Sequence, residues 1–145
     1  MGRAPLIVEL KAERGNAEAL AAATCAVLDK YKVDCCVESF DPRCIAWLRK
    51  NRPDIIRGQL SENFFRDRTD LSDTLKFLLT HNLANFLSRP DFIAYKFADR
   101  NSTISNWLCR RLWRVQGVSW TLRSKEGHDT ALKEGWLSIF EGFRP

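Results

Sequence analysis

A glutamate and a lysine lie two residues apart at the end of a short apolar run. Residues 6–11 have the pattern of a β-strand, in which Glu9 and Lys11 point to the same side. A glutamate can bind a hard cation such as Mg²⁺ or Ca²⁺, and a lysine can neutralise a phosphoryl oxygen. If the strand belongs to a parallel barrel, this end of it faces the active site. The alternative is a solvated ion pair at the end of an edge strand.

Two aromatic residues lie near the ends of later strand-like runs. Phe40 follows the second run, where it could lie over a pocket, but Ser39 and Asp41 before Pro42 are also typical of a helix start. Trp120 lies near the end of another run, where an aromatic ring either lines a ligand site or fills a barrel layer. Both residues are therefore candidate binding residues with an ordinary structural alternative.

The two histidines have no pattern that indicates catalysis. His81 and His128 both fall in predicted helices, and neither has a serine or cysteine nucleophile and an orienting acid at a suitable spacing. We expect structural or solvent-facing roles for them. The sequence also contains no Walker phosphate loop and no G-x-G-x-x-G motif, so nothing supports nucleotide binding.

Strand-like runs alternate with helical patterns along the whole chain. A long helical pattern of leucines occupies residues 71–86 and stops before an Arg-Pro pair. Because short apolar runs separated by helices are typical of β-α units, five or six such units are predicted. The predicted strands are residues 6–11, 35–39, 54–60, 92–97, 115–122 and 137–140.

Capping residues mark the predicted helix boundaries. Asp41 can cap a helix whose first position is Pro42, and Ser124 can cap the last helix. Asn101 or Ser102 can cap the helix that follows the predicted strand at residues 92–97.

Strict alternation of strands and helices predicts an α/β fold with a parallel sheet covered by helices. The pattern alone allows either an open doubly wound sheet or a barrel. A complete eight-unit barrel usually needs about 250 residues. On the barrel interpretation, the 145 residues hold little more than half of it, in one domain spanning residues 1–145.

Composition agrees with a folded, cytoplasmic protein. The chain is 45% hydrophobic and 28% charged, and its apolar stretches are far shorter than the ~20 residues of a membrane span. The N-terminus has no apolar signal segment. The net charge of +5 could suggest nucleic acid binding, but the basic residues are scattered, so no nucleic acid partner is expected.

The five cysteines have neither a C-x-x-C pair nor a histidine at zinc-binding spacing, so we expect reduced, buried thiols.

Six short segments, in order, resemble the later segments of bacterial glycerophosphodiester phosphodiesterases. Each segment is short, but together they cover nearly the whole chain in the family's order. They are residues 6–11 (LIVELK), 37–42 (VESFDP), 53–60 (PDIIRGQL), 89–97 (RPDFIAYKF), 119–123 (SWTLR) and 135–143 (GWLSIFEGF).

This resemblance implies a partial TIM-type (β/α) barrel of the phospholipase C-like phosphodiesterase kind. Members of the family hydrolyse glycerophosphodiesters to an alcohol and glycerol 3-phosphate, using a divalent cation and two histidines. The resemblance implies that Glu9 is a metal ligand and that Lys11 is a catalytic and substrate-binding residue that steadies the phosphate. Phe40 and Trp120 match aromatic positions near the substrate. It also implies a place in lipid and glycerol metabolism.

The chain departs from the family at several points. Glu141 stands where the family usually has Asp, and Arg123 stands at the Asn position of a W-T-V-N motif. The H-R-G and E-x-D segments of the family's first two strands do not occur in these residues, and the H-D pair at His128 and Asp129 falls in a predicted helix rather than in a third strand. Because general acid and base groups each contribute about 10²–10⁴ in rate, we expect this chain alone to be inactive or nearly so, and to hold Ca²⁺ or Mg²⁺ only weakly.

Three interpretations remain for a chain of this kind. The first is a phosphodiesterase fragment, which is either a truncated gene product or one half of a split enzyme with a separate N-terminal half. The second is a non-catalytic binding or interaction module derived from the same barrel. Unpaired sheet edges would favour pairing with another chain, so self-association is also predicted. A small basic nucleic-acid-binding protein is a third interpretation, which predicts a steep salt dependence of binding.

Overall fold

The computed structural model describes residues 4–13, 15–66 and 70–145 as an α/β fold in which parallel strands alternate with helices. The strands are β1 (Leu6–Leu10), β2 (Cys35–Ser39), β3 (Ile56–Ser61), β4 (Phe92–Lys96), β5 (Gln116–Leu122) and β6 (Leu137–Phe140). The helices are α1 (Ala17–Tyr31), α2 (Pro42–Asn51), α3 (Asp73–Thr80), α4 (Asn85–Ser88), α5 (Ile104–Arg111) and α6 (Lys125–Lys133). The predicted class, a partial TIM-type α/β fold, is confirmed.

The chain separates into two compact units, which are described in turn. Unit 1 contains residues 1–60 and 85–91, and unit 2 contains residues 61–84 and 92–145.

In unit 1, β1 pairs in parallel with β2, and β2 with β3. Helices α1 and α2 cover one face of these strands, and Leu10 and Val37 point into that covered face. Helix α1 presents small side chains at four-residue intervals, which allows close packing. Trp47 of α2 packs against the edge of this core. The buried core consists of Leu10, Ala17, Ala21, Cys25, Val37, Cys44, Ile45, Leu48 and Ile55.

In unit 2, β4 pairs in parallel with β5, and β5 with β6. The Arg110 guanidinium stacks over the Trp136 ring, 3.7 Å from its centroid. A Cβ atom at Gly117 would lie 2.7 Å from both side chains, so only glycine fits against this stack. The buried core consists of Ile93, Tyr95, Cys109, Leu122, Ala131 and Trp136.

The strand predictions and most of the capping predictions are correct. All six strands occur within two residues of their expected limits. The Asp41 carboxylate accepts a hydrogen bond from the Arg43 backbone N–H, with Pro42 at the first helical position. Ser124 caps α6 in the same way, through the Gly127 N–H.

Two helix predictions are wrong. The pattern over residues 71–86 is two helices, because Asn82 adopts a left-handed φ of 55° that an α-helix cannot continue. Helix α5 is capped by Thr103, rather than by Asn101 or Ser102. The Ser102 N–H already donates to the Asp99 carbonyl in a turn, so the extended capping conformation begins one residue later.

Candidate active site

Glu9 and Lys11 lie at the carboxyl end of β1, in unit 1. The Lys11 Nζ atom is 4.0 Å from Glu9 Oε1, and the two side chains are 79% and 37% exposed. An ion pair this long and this exposed contributes little to stability. The carboxylate and the ammonium are therefore both available to a ligand.

A second carboxylate stands beside Glu9. Glu38 is the register partner of Glu9 on the neighbouring strand β2. Val8, Leu10 and Val37 alternate with these glutamates and pack into the helix-covered core, so both glutamates lie on the opposite face. Glu38 is only 5% exposed, and its Oε2 atom has no hydrogen-bond partner. Burial, and secondly the Glu9 charge, raise the pKa of Glu38 to about 7.

The sequence analysis did not single out Glu38. A charged residue within an otherwise buried strand is the signal that could have found it, because Val37 and Ser39 on either side are both buried.

Side-chain hydrogen bonds tie the carboxyl ends of β1, β2 and β3 together. The Ser39 hydroxyl donates to the Leu10 carbonyl over 2.7 Å and accepts from the Asp41 N–H. The Gln59 amide on β3 donates to the carbonyls of Ser39 and Phe40 at 2.9 and 3.1 Å. This network fixes the strand ends that carry Glu9 and Glu38.

Phe40 lies between this network and the start of α2. Its ring is half-buried, and Asp41 beside it forms the helix cap that the sequence predicted. A substrate-binding role for Phe40 stays a prediction.

Trp120 lies on β5, in unit 2. Its side chain is half-buried, and its indole Nε1–H donates to the Ala94 carbonyl over 3.0 Å. The register partner of Trp120 is Lys96 on β4, and the Lys96 ammonium pairs with Glu62 at 2.9 Å. Trp120 thus has a charged neighbour on one side, and its role as a binding residue stays a prediction.

Unit 2 also buries an acidic side chain close to the end of β4. Asp99 is 2% exposed, and its Oδ1 atom accepts a hydrogen bond from Arg66 Nη1 over 2.6 Å. Its Oδ2 atom accepts from the Asn63 backbone N–H at 3.2 Å. Both carboxylate oxygens are therefore satisfied by the protein.

The histidines lie in local packing contacts. His81 caps the end of α3 and contacts Phe77, with Ser105 Oγ 3.4 Å from its Nδ1 atom. Ser138 Oγ lies 2.8 Å from His128 Nδ1. The sequence spacing did not reveal either serine, but the contacts agree with the structural roles expected.

All five cysteines are free thiols. Cys25, Cys44 and Cys109 are buried as predicted, whereas the prediction is wrong for Cys35 and Cys36, which are half-buried. Burial raises the pKa of every one of these thiols, which keeps them protonated.

Within residues 4–13, 15–66 and 70–145, no group of three or more histidine, cysteine, aspartate or glutamate side chains is arranged to hold a metal ion. In the same part of the chain, no helix has the length and apolar character needed to cross a membrane.

Solved structures with a similar fold include a phosphodiesterase from Oleispira antarctica in complex with the product sn-glycerol-3-phosphate. It is 15% identical, with a TM-score of 0.65 over 91% of this chain and 49% of that chain. A glycerophosphodiester phosphodiesterase from Parabacteroides distasonis is 10% identical, with a TM-score of 0.66 over 95% of this chain and 52% of that one. The enzyme from Thermotoga maritima is 17% identical, with a TM-score of 0.58 and coverages of 92% and 52%.

This chain shares its fold with about half of each of these solved phosphodiesterases. It spans about half the length of the solved structures it matches, which agrees with the prediction of little more than half a barrel. No known family profile matches the chain, and no curated protein is similar in sequence. The resemblance seen in short segments is therefore confirmed at the level of the fold.

The two positions that depart from the family's motifs pair with each other. Arg123 Nε donates to Glu141 Oε1 over 2.6 Å, and the two side chains are 75% and 56% exposed. These residues form a surface ion pair.

Proposed function

We propose that this chain supplies the cation-binding and phosphate-binding part of a glycerophosphodiester phosphodiesterase site, with Glu9 as metal ligand and Lys11 as phosphate ligand. The observation that carries the proposal is the exposed Glu9–Lys11 pair at the carboxyl end of β1, in a chain with this enzyme's fold. Strand ends of this kind form the active site of barrel enzymes.

The residues present fit a divalent cation and a phosphodiester. Glu9 offers a partly exposed carboxylate, and Mg²⁺ typically takes one or two carboxylates, with water and substrate phosphate completing its shell. Such a cation polarises the phosphoryl group and neutralises charge on it. Lys11 offers an exposed ammonium two residues from Glu9 for the phosphate, and Phe40 of the same unit offers a half-buried aromatic ring for the rest of the substrate. The substrate-binding role of Trp120, which lies in unit 2, stays a prediction.

The reaction proposed is hydrolysis of a glycerophosphodiester to an alcohol and glycerol 3-phosphate. The acid and base histidines that the family uses have no counterpart in the motifs of these residues. The chain alone is therefore expected to bind product and substrate with little or no turnover, and a separate N-terminal half would complete the site.

Binding of glycerol 3-phosphate tests the phosphate-binding role. Titration into the ¹⁵N-labelled chain should shift amides near Lys11, and Lys11→Ala should weaken binding about tenfold or more, because a charged donor to phosphate is lost. Lys30→Ala, which removes an exposed lysine from the last turn of α1, is the matched control. Equal binding by both variants would refute the role of Lys11.

Hydrolysis of glycerophosphocholine with Mg²⁺ or Ca²⁺ tests the catalytic prediction. No turnover is expected, with EDTA and Glu9→Ala as controls. Metal-dependent activity that disappears in Glu9→Ala would show that other groups here replace the histidines. A chain that binds neither cation nor glycerol 3-phosphate would favour the non-catalytic interaction module.

Association through β1 is part of the proposal. Leu6 and Ile7 on this strand are 46% and 54% exposed, and among the described residues of unit 1, β1 pairs with β2 alone. An exposed apolar strand of this kind pairs readily with another chain. Sedimentation at increasing concentration should detect self-association, and a monodisperse monomer at high concentration would contradict it.

A further inference from the structure

Glu38 is a buried acid that the proposed roles of Glu9 and Lys11 leave unexplained. Only 5% of Glu38 is exposed to solvent, and its Oε2 atom has no hydrogen-bond partner. A buried polar group without a partner typically costs about 1–3 kcal/mol, and more when it is charged. An acid at this position therefore weakens the fold unless something else binds it.

The position of Glu38 indicates what binds it. Its carboxyl lies on the same face as Glu9, on the neighbouring strand and in direct register with it. Neighbouring strands are about 4.8 Å apart, and a Mg²⁺–oxygen bond is about 2.1 Å, so one cation can contact an oxygen from each side chain.

We propose that Glu38 and Glu9 together bind one hard divalent cation, with Glu38 as the buried ligand and Glu9 as the solvent-facing one. This proposal rests on the proposed function of the β1 end and adds a second protein ligand to it. The Lys11 ammonium lies 4.0 Å from Glu9 and its side chain is 79% exposed, so it is available to a phosphate at the same strand end.

The two carboxylates suit Mg²⁺, because this cation usually binds one or two carboxylates together with water and phosphate rather than a complete cage of protein ligands. Two carboxylates neutralise the charge of the cation, while waters and a phosphate oxygen fill the remaining positions. Because affinity rises with the number of charged ligands, two carboxylates alone should bind the cation weakly. Bound glycerol 3-phosphate should increase the affinity for the cation.

A proton is the competing occupant. Two adjacent carboxyls can share one proton, which would remove the repulsion without a cation. The two occupants differ in a measurable way, since only a cation site broadens nearby resonances when Mn²⁺ is added.

The test is a Mn²⁺ titration of the ¹⁵N-labelled chain, followed by displacement with Mg²⁺ or Ca²⁺. Amides of β1 and β2 near residues 9 and 38 should broaden first and recover on displacement. Glu38→Gln and Glu9→Gln should each weaken Mn²⁺ binding about tenfold or more, since each removes one carboxylate ligand. Glu18→Gln, which removes an exposed acid from the first turn of α1, should leave the titration unchanged.

Each outcome decides the proposal. Equal Mn²⁺ binding by Glu38→Gln and the unsubstituted chain overturns it, and so does the absence of broadening around residues 9 and 38 in the unsubstituted chain, a result that does not depend on how the variants fold. Lys11-dependent binding of glycerol 3-phosphate in EDTA, without any cation binding, overturns the role of Glu38 and leaves the phosphate-binding role intact. Loss of both kinds of binding overturns both proposals.

Discussion

Among the residues that the structure describes, each unit buries one acidic side chain close to the carboxyl end of a strand, and the two acids have opposite surroundings. Asp99 of unit 2 is 2% exposed, and both of its oxygens accept hydrogen bonds, from Arg66 and from the Asn63 backbone. Glu38 of unit 1 is 5% exposed, has an oxygen without a partner, and lies beside another acid.

The contrast separates a stabilising acid from a destabilising one. A buried carboxylate with partners contributes to folding, and its removal leaves those partners unsatisfied. A buried carboxyl without partners costs stability, and such groups concentrate at functional sites. Asp99 therefore holds the segment with Asn63 and Arg66 in place, whereas we expect Glu38 to lower the stability of the fold.

The largest expected effect is loss of stability in Asp99→Ala. The substitution leaves the partly buried Asn63 N–H without its acceptor and removes the partner of Arg66, so the free energy of unfolding should fall by about 3 kcal/mol. Urea denaturation measures it. Asp129→Ala, at an exposed position of α6, is the control, and a loss no greater than that of the control would break the comparison.

For Glu38→Gln we expect the opposite effect, a gain in the free energy of unfolding that depends on pH. The pKa of Glu38 rises from 4.5 to about 7 on folding, so the folded chain holds a proton that the unfolded chain releases within this range. In EDTA, the free energy of unfolding should therefore fall by about 3 kcal/mol as pH rises from about 4.5 through 7, and then level off. Glu38→Gln should remove this dependence and be the more stable chain at neutral pH. Parallel pH profiles for the two chains would contradict the assignment.

A smaller effect is expected at the helix caps, one in each unit. Asp41 accepts from the Arg43 backbone and holds the Arg43 guanidinium, whereas Ser124 bonds a single N–H. Replacement of either cap by alanine should cost about 1 kcal/mol, with Asp41→Ala the larger. Thermal unfolding of the two variants measures the order, and the reverse order would show that the Arg43 contact adds nothing.

The smallest effect is expected for the surface pair Arg123–Glu141. Exposed ion pairs typically contribute about 0.2–1 kcal/mol, so a double-mutant cycle with both residues changed to alanine should give a coupling at the low end of this range. The pair formed in unit 1 by Arg52 with Asp29 and Asp54 involves a guanidinium that is only 23% exposed, so its coupling should be larger. Equal couplings would mean that burial of the arginine has no influence.

The sequence was sufficient to predict the strands because each is a short apolar run set between capping and turn residues. The interruption of the helix near residue 82 was not predictable from the same information. The leucine pattern continues across it, and periodicity reports which side chains are apolar rather than the backbone angle of Asn82.

The residues of the candidate site could also be predicted only in part from the sequence. Glu9 and Lys11 could be predicted because they lie within one strand, where a spacing of two places them on one face. Glu38 could not, because its position beside Glu9 depends on the register between two strands that are 25 residues or more apart in sequence. Register is fixed by packing of the whole layer rather than by local residue types.

The placement of tryptophans and thiols provides separate reporters for the two units. Trp47 is the one tryptophan in unit 1, while Trp107, Trp113, Trp120 and Trp136 all belong to unit 2. The cysteines are divided the other way, with Cys109 in unit 2 and the remaining four in unit 1. Intrinsic fluorescence therefore follows mainly the opening of unit 2, and the rate of thiol alkylation follows mainly the opening of unit 1, so both can be recorded on one unlabelled sample.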